Sequence, residues 1–354
     1  NEWQAANILA LEALGTVRVA VDRDALPPVA YVLSVPQSDD SSVTVSRVEA
    51  EGTLTPLGSP FATVNGLLPR VADLAVTDGQ LRVALSNSAS GEIEVWGYSG
   101  FTDAFSRLGT AETTPWGDVT PPASGPLLAL AARARDDFWL AYKAGAASLA
   151  TYRSGAAGAL TAATAPSGAT PLADLELAAG GGVVAMGYEI EDLSFTTTVL
   201  ELSVAGASDW GSPTDAFVSG IVDVTALDVA VDPADGSAYV VYGDDAGDLY
   251  LNDETGTLDA TITDGDFGGS SPASPADIAL AGVDGVLSLF YLDDVAGAGV
   301  IRESSDRGAT WSVASPADFT GTADLGVLDL SAAAGSRFAA YATSGGFGFA
   351  RSFQ

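Results

Sequence analysis

The chain of 354 residues contains no cysteine and no histidine, and this double absence removes several classes of chemistry. Disulfide bonds cannot form, and neither a Ser-His-Asp triad nor a Cys-His pair can be assembled. Zinc and haem sites built on imidazole or thiolate are excluded for the same reason. Any bound metal must therefore be held by oxygen atoms, which favours Ca²⁺ or Mg²⁺.

Basic residues are also scarce, since 14 Lys and Arg stand against 46 Asp and Glu, for a net charge of −32. A field of this sign repels nucleic acid and anionic membrane surfaces, so we expect no nucleic-acid partner. No apolar run approaches about 18 residues, so we expect no membrane insertion. No signal peptide is visible, but an acidic chain without cysteine suits an extracellular, cell-surface or periplasmic location.

What the chain does contain is one repeated pattern, seen most clearly at Leu227–Tyr242. Two β-rich runs flank Asp235-Gly236, and this arrangement is a strong signal for a β-hairpin. Six other stretches show the same pattern, and the residue before the central apolar position serves as an anchor. The seven anchors are Arg18, Asp73, Ala129, Asp174, Asp228, Asp277 and Asp329.

A repeat of about 50 residues made of short strands is typical of a β-propeller blade. The sequence therefore predicts an all-β, seven-bladed β-propeller of four-stranded antiparallel blades, in one domain over residues 1–354. We expect residues 2–8 to pair with residues 348–353, so that the N-terminal strand closes the ring. The predicted blades are 16–70, 71–126, 127–171, 172–225, 226–275, 276–326, and 327–354 together with 1–15.

The stretch Ser304–Trp311, SSDRGATW, resembles the Asp-box, or BNR repeat, of sialidases and related propellers. The resemblance implies a turn between the third and fourth strands of a blade, with a structural role for Asp306. It does not extend to sialidase chemistry, because the arginine motif of those enzymes is missing and their propellers have six blades. Seven-bladed Asp-box propellers include hydrolases and assembly factors, so the resemblance implies a fold and leaves the activity open.

Acidic residues recur where a propeller has its usual binding face. Anchors such as Asp174, Asp228 and Asp277 start inner strands and are predicted to surround one mouth of the central channel; they either bind a ligand or cap the crossing loops. The loops of the fourth to sixth blades are predicted to form an acidic arc on the same face. Its residues are Glu189, Glu191 and Asp192, then Asp244, Asp245 and Asp248, then Asp293 and Asp294.

Two residue sets in this region suggest particular chemistry. Asp244, Asp245 and Asp248 are the predicted metal ligands, because glycines around them let carbonyl groups join the carboxylates around Ca²⁺. Glu176 occupies a position that is usually alanine in the other repeats. A carboxyl group in a crowded inner strand would have a raised pKa, as a general acid needs, or would reach a nearby arginine or channel water.

These observations predict a secreted or cell-surface binding module for a carbohydrate or a protein, with Ca²⁺ at its acidic face. A glycoside hydrolase with paired carboxylates on that face is the first alternative. Such an enzyme would need two carboxyl groups about 5.5 Å or about 6.5–9.5 Å apart. A structural spacer is the second alternative.

Overall fold

A computed structural model gives the conformation of most of the chain. The structure describes residues 3–9, 14–36, 42–49, 52–61, 72–86, 93–111, 128–143, 149–154, 160–164, 171–192, 195–203, 209–211, 214–216, 224–244, 248–256, 259–262, 278–293, 298–314, 327–333, 335–343 and 346–353. Within these ranges no helix is long and apolar enough to cross a membrane.

The described residues form 28 strands in seven four-stranded antiparallel sheets. After β1 (Trp3–Leu9), sheet one contains β2 (Leu14–Asp22), β3 (Val29–Pro36), β4 (Thr44–Val48) and β5 (Leu54–Pro56). Sheet two contains β6 (Ala72–Thr77), β7 (Gln80–Ser86), β8 (Ile93–Ser99) and β9 (Ala104–Ala111). Sheet three contains β10 (Leu128–Ala134), β11 (Asp137–Lys143), β12 (Leu149–Ser154) and β13 (Leu160–Ala163).

The remaining four sheets follow in chain order. Sheet four contains β14 (Pro171–Gly180), β15 (Val183–Asp192), β16 (Phe195–Ser203) and β17 (Thr214–Ala216). Sheet five contains β18 (Val224–Val231), β19 (Ala238–Asp244), β20 (Leu249–Asp253) and β21 (Asp259–Ile262). Sheet six contains β22 (Ile278–Val283), β23 (Val286–Asp293), β24 (Ala298–Ser304) and β25 (Ser312–Val313). Sheet seven contains β26 (Val327–Ala333), β27 (Ser336–Thr343) and β28 (Gly346–Phe353), together with β1.

The predicted hairpin at Leu227–Tyr242 is confirmed, because β18 pairs with β19 in a register that places Leu227 opposite Tyr242. Tight Asp-Gly turns join the first two strands elsewhere. In sheet six Asp284 and Gly285 have φ values of 53° and 76°. Positive φ at both central residues is what a type I′ hairpin turn requires, and Asp-Gly meets that requirement at low cost.

The core lies between neighbouring sheets. Between sheets six and seven, for example, Phe290 and Leu330 pack in one buried cluster with Tyr341. The first strands of the seven sheets also contact one another in sequence, from β2 to β6 onwards and finally from β26 back to β2. These contacts confirm a propeller with four-stranded antiparallel blades, in which the first strands surround a central channel.

The predicted pairing of the chain ends is confirmed, with β1 beginning one residue later than expected. In sheet seven the strand order is β1-β28-β27-β26, and Trp3 lies opposite Ser352. This pairing covers an edge of β28 that would otherwise present unpaired backbone groups. The proposed blade boundaries and the single domain over 1–354 stay predictions.

Candidate functional site

Each of three anchor aspartates connects its own inner strand to the inner strand of the next sheet through hydrogen bonds. Asp73 accepts hydrogen bonds from the N–H groups of Leu74 and of Leu130 in sheet three. Asp228 does the same for Val229 and for Leu280 in sheet six. Asp329 accepts from Leu330 and, at 2.6 Å, from Val19 in sheet one. These three carboxylates therefore satisfy backbone donors, and in doing so they bridge the inner strands of neighbouring sheets.

Two departures from the repeat meet across the channel. Arg18 stands where most repeats have aspartate, and Glu176 stands where most have alanine. The structure places Arg18 NH2 3.2 Å from Glu176 Oε1, although the two residues are 158 positions apart. Arg18 Nε is also 3.7 Å from Asp73 Oδ1. One guanidinium group thus joins sheets one, two and four at the channel axis.

A second arginine occupies the end of the channel where the inner strands finish. Arg23 directly follows β2, and its Nε donates to the carbonyl oxygen of Ala332 in sheet seven at 2.9 Å. Its NH1 donates to the carbonyl oxygen of Ala179 in sheet four. Burial lowers the pKa of Arg23, whereas the nearby charges of Asp232 and Asp24 raise it. Arg23 therefore spans this end of the channel with hydrogen bonds to two other sheets.

The cavity along the axis has a volume of about 310 Å³ and contains an excess of carboxyl groups. Its walls include Asp73, Glu176, Asp228 and Asp329 together with Arg18 and Arg23. Burial raises the pKa of Asp73 to about 7 and that of Asp329 to about 6, while Arg18 lowers both. Burial also raises the pKa of Glu176 and Asp228 well above the usual range. Burial therefore favours the protonated form of each carboxyl group, and a positively charged neighbour favours the ionised form.

The Asp-box stretch forms the turn between β24 and β25, the third and fourth strands of sheet six, as the resemblance implies. The Thr310 N–H and hydroxyl and the Ser304 hydroxyl all donate to the Asp306 carboxylate. These hydrogen bonds, with those from Thr310 contributing most, lower the pKa of Asp306 to about 2. Gly308 has a φ of 92°, and an added Cβ would lie 2.2 Å from Leu251 Cδ2. This turn has a structural role.

Several residues of the predicted acidic arc lie in strands and not in loops. Glu191 and Asp192 belong to β15, where Asp192 pairs with Phe195 of β16. Asp244 ends β19 opposite Val224, and Asp293 ends β23 opposite Ala298. Long runs of cross-strand pairing extended these hairpins beyond the expected loop boundaries. Asp245, Asp277 and Asp294 lie outside the described residues.

Glu189 also differs from the prediction of an exposed acidic loop, since it is buried in β15. Burial lowers the pKa of Lys143, and the negative charge of Glu189 offsets part of this shift. The single lysine of the chain therefore lies near this carboxylate in the neighbouring sheet. Asp248 is half-buried just before β20, and Asp174 lies within β14.

Two parts of the site were missed by the sequence reasoning. Arg23 follows the strand that contains Arg18, but nothing in a single strand indicates that its side chain crosses the axis. Asp73 and Asp329 were expected at the channel mouth with the other anchors but were not named as ligand-binding residues. The signal available in the sequence was the occurrence of Arg18 and Arg23 five positions apart at one inner strand, in a chain with only 14 basic residues.

No family model and no curated protein matches the chain. Solved structures of propellers do match over nearly all of its length. An ulvan lyase bound to a GlcA-Rha3S fragment has a TM-score of 0.61 at 11% identity, covering 98% of this chain and 95% of its own. YCF48 bound to the D1 peptide has a TM-score of 0.59 at 13% identity, covering 100% and 97%. The fucose-specific lectin from Aleuria aurantia has a TM-score of 0.55 at 15% identity, covering 88% and 100%.

At these identities the similarity shows the fold alone, and the fold defines a β-propeller. The matched propellers are described as a lectin, a lyase and a peptide-bound protein. The chemistry of the site must be argued from the residues of this chain.

Proposed function

We propose that this chain is a binding module, that its seven sheets are the blades of one closed seven-bladed ring, and that its channel takes up a cationic group of a protein ligand. The observation that supports the proposal is the channel cavity, where Arg18 and Arg23 face four carboxyl groups. An incoming ammonium or guanidinium group would offset the excess negative charge and favour ionised Asp73 and Asp329. Action outside the cell or in the periplasm is part of the same proposal.

The ligand should be a peptide with an exposed lysine or arginine. We expect a tetra-arginine amide to bind at pH 8 and an acidic peptide of equal length not to bind. Asp329→Asn should weaken binding about tenfold, the equivalent of about 1.4 kcal/mol, because it removes one buried charge from the cavity. Isothermal titration calorimetry at 0.15 M NaCl measures both effects.

The matched control is Asp284→Asn, which removes the same charge from an exposed turn outside the channel and keeps a residue that tolerates positive φ. It should bind the peptide as the parent does. Equal weakening by both variants would show that only the net charge attracts the peptide. Absence of binding by the folded parent protein would favour the structural spacer.

Calcium at Asp244, Asp245 and Asp248 is a second part of the proposal. Gly243 of β19 pairs with Leu249 of β20. Asp244 is the last residue of β19 and Asp248 directly precedes β20, so the three acidic residues lie within five consecutive positions between paired strands. We expect CaCl₂ to bind saturably and Asp244→Asn with Asp245→Asn to abolish binding, because Ca²⁺ requires several oxygen ligands. Calorimetry with MgCl₂ as a control measures this. An unchanged calcium titration of the double variant would exclude these residues.

Glycoside hydrolysis is the second candidate function, and Glu176 is the reason to retain it. Its raised pKa is the property that a general acid needs. However, Asp73, Asp228 and Asp329 each accept two backbone hydrogen bonds, which commits them to holding sheets together. Such fixed, hydrogen-bonded carboxyl groups can still attract a cation through their charge, but they are poorly placed to act as a nucleophile or general base, so we favour binding over hydrolysis.

A further inference from the structure

A second cavity lies away from the channel, where sheet six meets sheet seven. Its volume is about 260 Å³, and its lining includes Glu303, Ser305, Thr310, Trp311, Ser312 and Arg337. Glu303 is in β24, Arg337 is in β27, and the other four residues lie in or just after the Asp-box turn. The axial cavity shares none of these residues, so this cavity can be argued independently of the proposed function.

The wall of this cavity includes a charged pair from two different sheets. Arg337 Nε is 3.6 Å from Glu303 Oε1, and the two side chains are 1% and 16% exposed. Burying two charges has a large desolvation cost, which close hydrogen-bonded geometry would offset. Close charge-assisted bonds measure about 2.7–2.9 Å, so this ion pair is a looser one, and it places a cationic donor and an anionic acceptor side by side in the cavity wall.

The polar groups nearby differ in their availability. The Thr310 hydroxyl donates to Asp306, and the Ser312 hydroxyl donates to the Glu303 carbonyl oxygen. Ser305 is exposed beside them. Trp311 Nε1 is shielded from solvent and has no hydrogen-bond acceptor among the described residues. Such a buried donor destabilises the protein unless an acceptor is supplied.

We propose that this cavity binds a single neutral sugar ring through two adjacent hydroxyl groups. A hydroxyl group both accepts a hydrogen bond, here from the Arg337 guanidinium, and donates one, here to the Glu303 carboxylate. Two neighbouring hydroxyls can therefore contact a positioned donor and a positioned acceptor at the same time. The volume suits one ring, being just below the roughly 300–1,000 Å³ of typical ligand pockets.

The charge of the ligand follows from the same residues. The pair of Arg337 and Glu303 is neutral as a whole, so it selects neither a cation nor an anion. The chain carries a net charge of −32, which repels acidic sugars over a longer range. A neutral sugar is therefore favoured over a uronic acid or a sulfated sugar.

The test is saturation-transfer NMR followed by calorimetry with D-glucose, D-galactose, D-mannose and L-fucose, with D-glucuronate as the anionic match to glucose. We expect at least one neutral sugar to bind with a Kd of about 1 mM and glucuronate to bind at least about tenfold more weakly. Glu303→Gln should weaken sugar binding about tenfold, because an amide replaces the charged acceptor. Ser305→Tyr should abolish it, because a large side chain at this exposed lining position would occupy the cavity, and Ser305 makes none of the Asp306 hydrogen bonds of the turn.

The controls separate this cavity from the channel. Asp329→Asn, which alters the channel, should leave the affinity for the sugar unchanged, and sugar should not displace the arginine peptide. The proposal is overturned if no neutral sugar binds at 50-fold the expected Kd of about 1 mM, or if glucuronate binds as tightly as the neutral sugars. It is also overturned if folded Glu303→Gln and Ser305→Tyr both retain the parent affinity.

Discussion

Lowering the pH from 8 to 5 is expected to stabilise this protein, raising its melting temperature by about 5 °C or more. Burial raises the pKa of Asp73 from an ordinary value of 3.8 to about 7, and that of Asp329 to about 6. Between these values and 3.8 the folded state holds protons that the unfolded state has released. The contribution of these groups to stability is therefore greatest near pH 4 and declines as the pH rises through 5, 6 and 7.

The size of the effect follows from the shift in the pKa values. One unit corresponds to about 1.4 kcal/mol, so between pH 5 and its pKa of about 7 Asp73 alone could contribute up to about 3 kcal/mol. Its side chain is 10% exposed beside a half-open cavity, and water there reduces the effect to about 2 kcal/mol or more. Asp306, whose pKa is lowered to about 2, loses its stabilising bonds only below about pH 4 and does not oppose the trend.

Thermal unfolding of the parent, of Asp73→Asn and of the exposed control Asp284→Asn at pH 5 to 8 measures this prediction. Asp73→Asn should make the profile less steep, because it removes a carboxyl group whose pKa burial raises to about 7. Asp284→Asn should reproduce the parent profile. The comparison should also hold in 1 M NaCl, where a Debye length of about 3 Å screens the surface charge but not the buried cluster. A melting temperature that stays level or falls on acidification contradicts the prediction.

Arg18→Met is expected to be the most damaging single substitution in the channel, with a loss of about 3 to 5 kcal/mol at pH 8. The substitution keeps a long side chain but removes the charge that lowers the pKa of all four channel carboxyl groups. Without it these groups either remain ionised beside one another or take up protons. The loss should therefore shrink at pH 5, where protonation relieves the repulsion.

Urea unfolding at pH 8 and pH 5 measures the loss, and a double-mutant cycle with Glu176→Gln measures the coupling across the channel. We expect a coupling free energy of at least about 1 kcal/mol, since the two groups are in contact. The matched control is Arg47→Met, which breaks the half-exposed pair with Glu49 and should cost less than about 1 kcal/mol. Equal losses for the two arginine variants, or a loss for Arg18→Met that is independent of pH, would show that no buried charge cluster exists.

Much of the fold could be predicted from local patterns. Alternating apolar residues on both sides of Asp-Gly identify hairpins, because side chains alternate across a strand and few residues accept positive φ. The seven copies of that pattern indicated a propeller, and the missing outer strand of the last copy pointed to residues 2–8, one position before the observed strand Trp3–Leu9. The Asp-box turn was equally local, since every bond of Asp306 reaches a residue within four positions.

The sequence by itself thus determined the strands, the turns, the pairing of the chain ends, and the exclusion of imidazole and thiolate chemistry. Only the tertiary structure decided that Arg18 meets Glu176, that the anchor aspartates bridge neighbouring sheets, and that Arg337 and Glu303 enclose a second cavity. The physical reason is that strand pairing depends on a period of two residues within a short segment. Contacts across the axis or between sheets depend on how far each strand is shifted along its neighbours, which involves residues far apart in the chain.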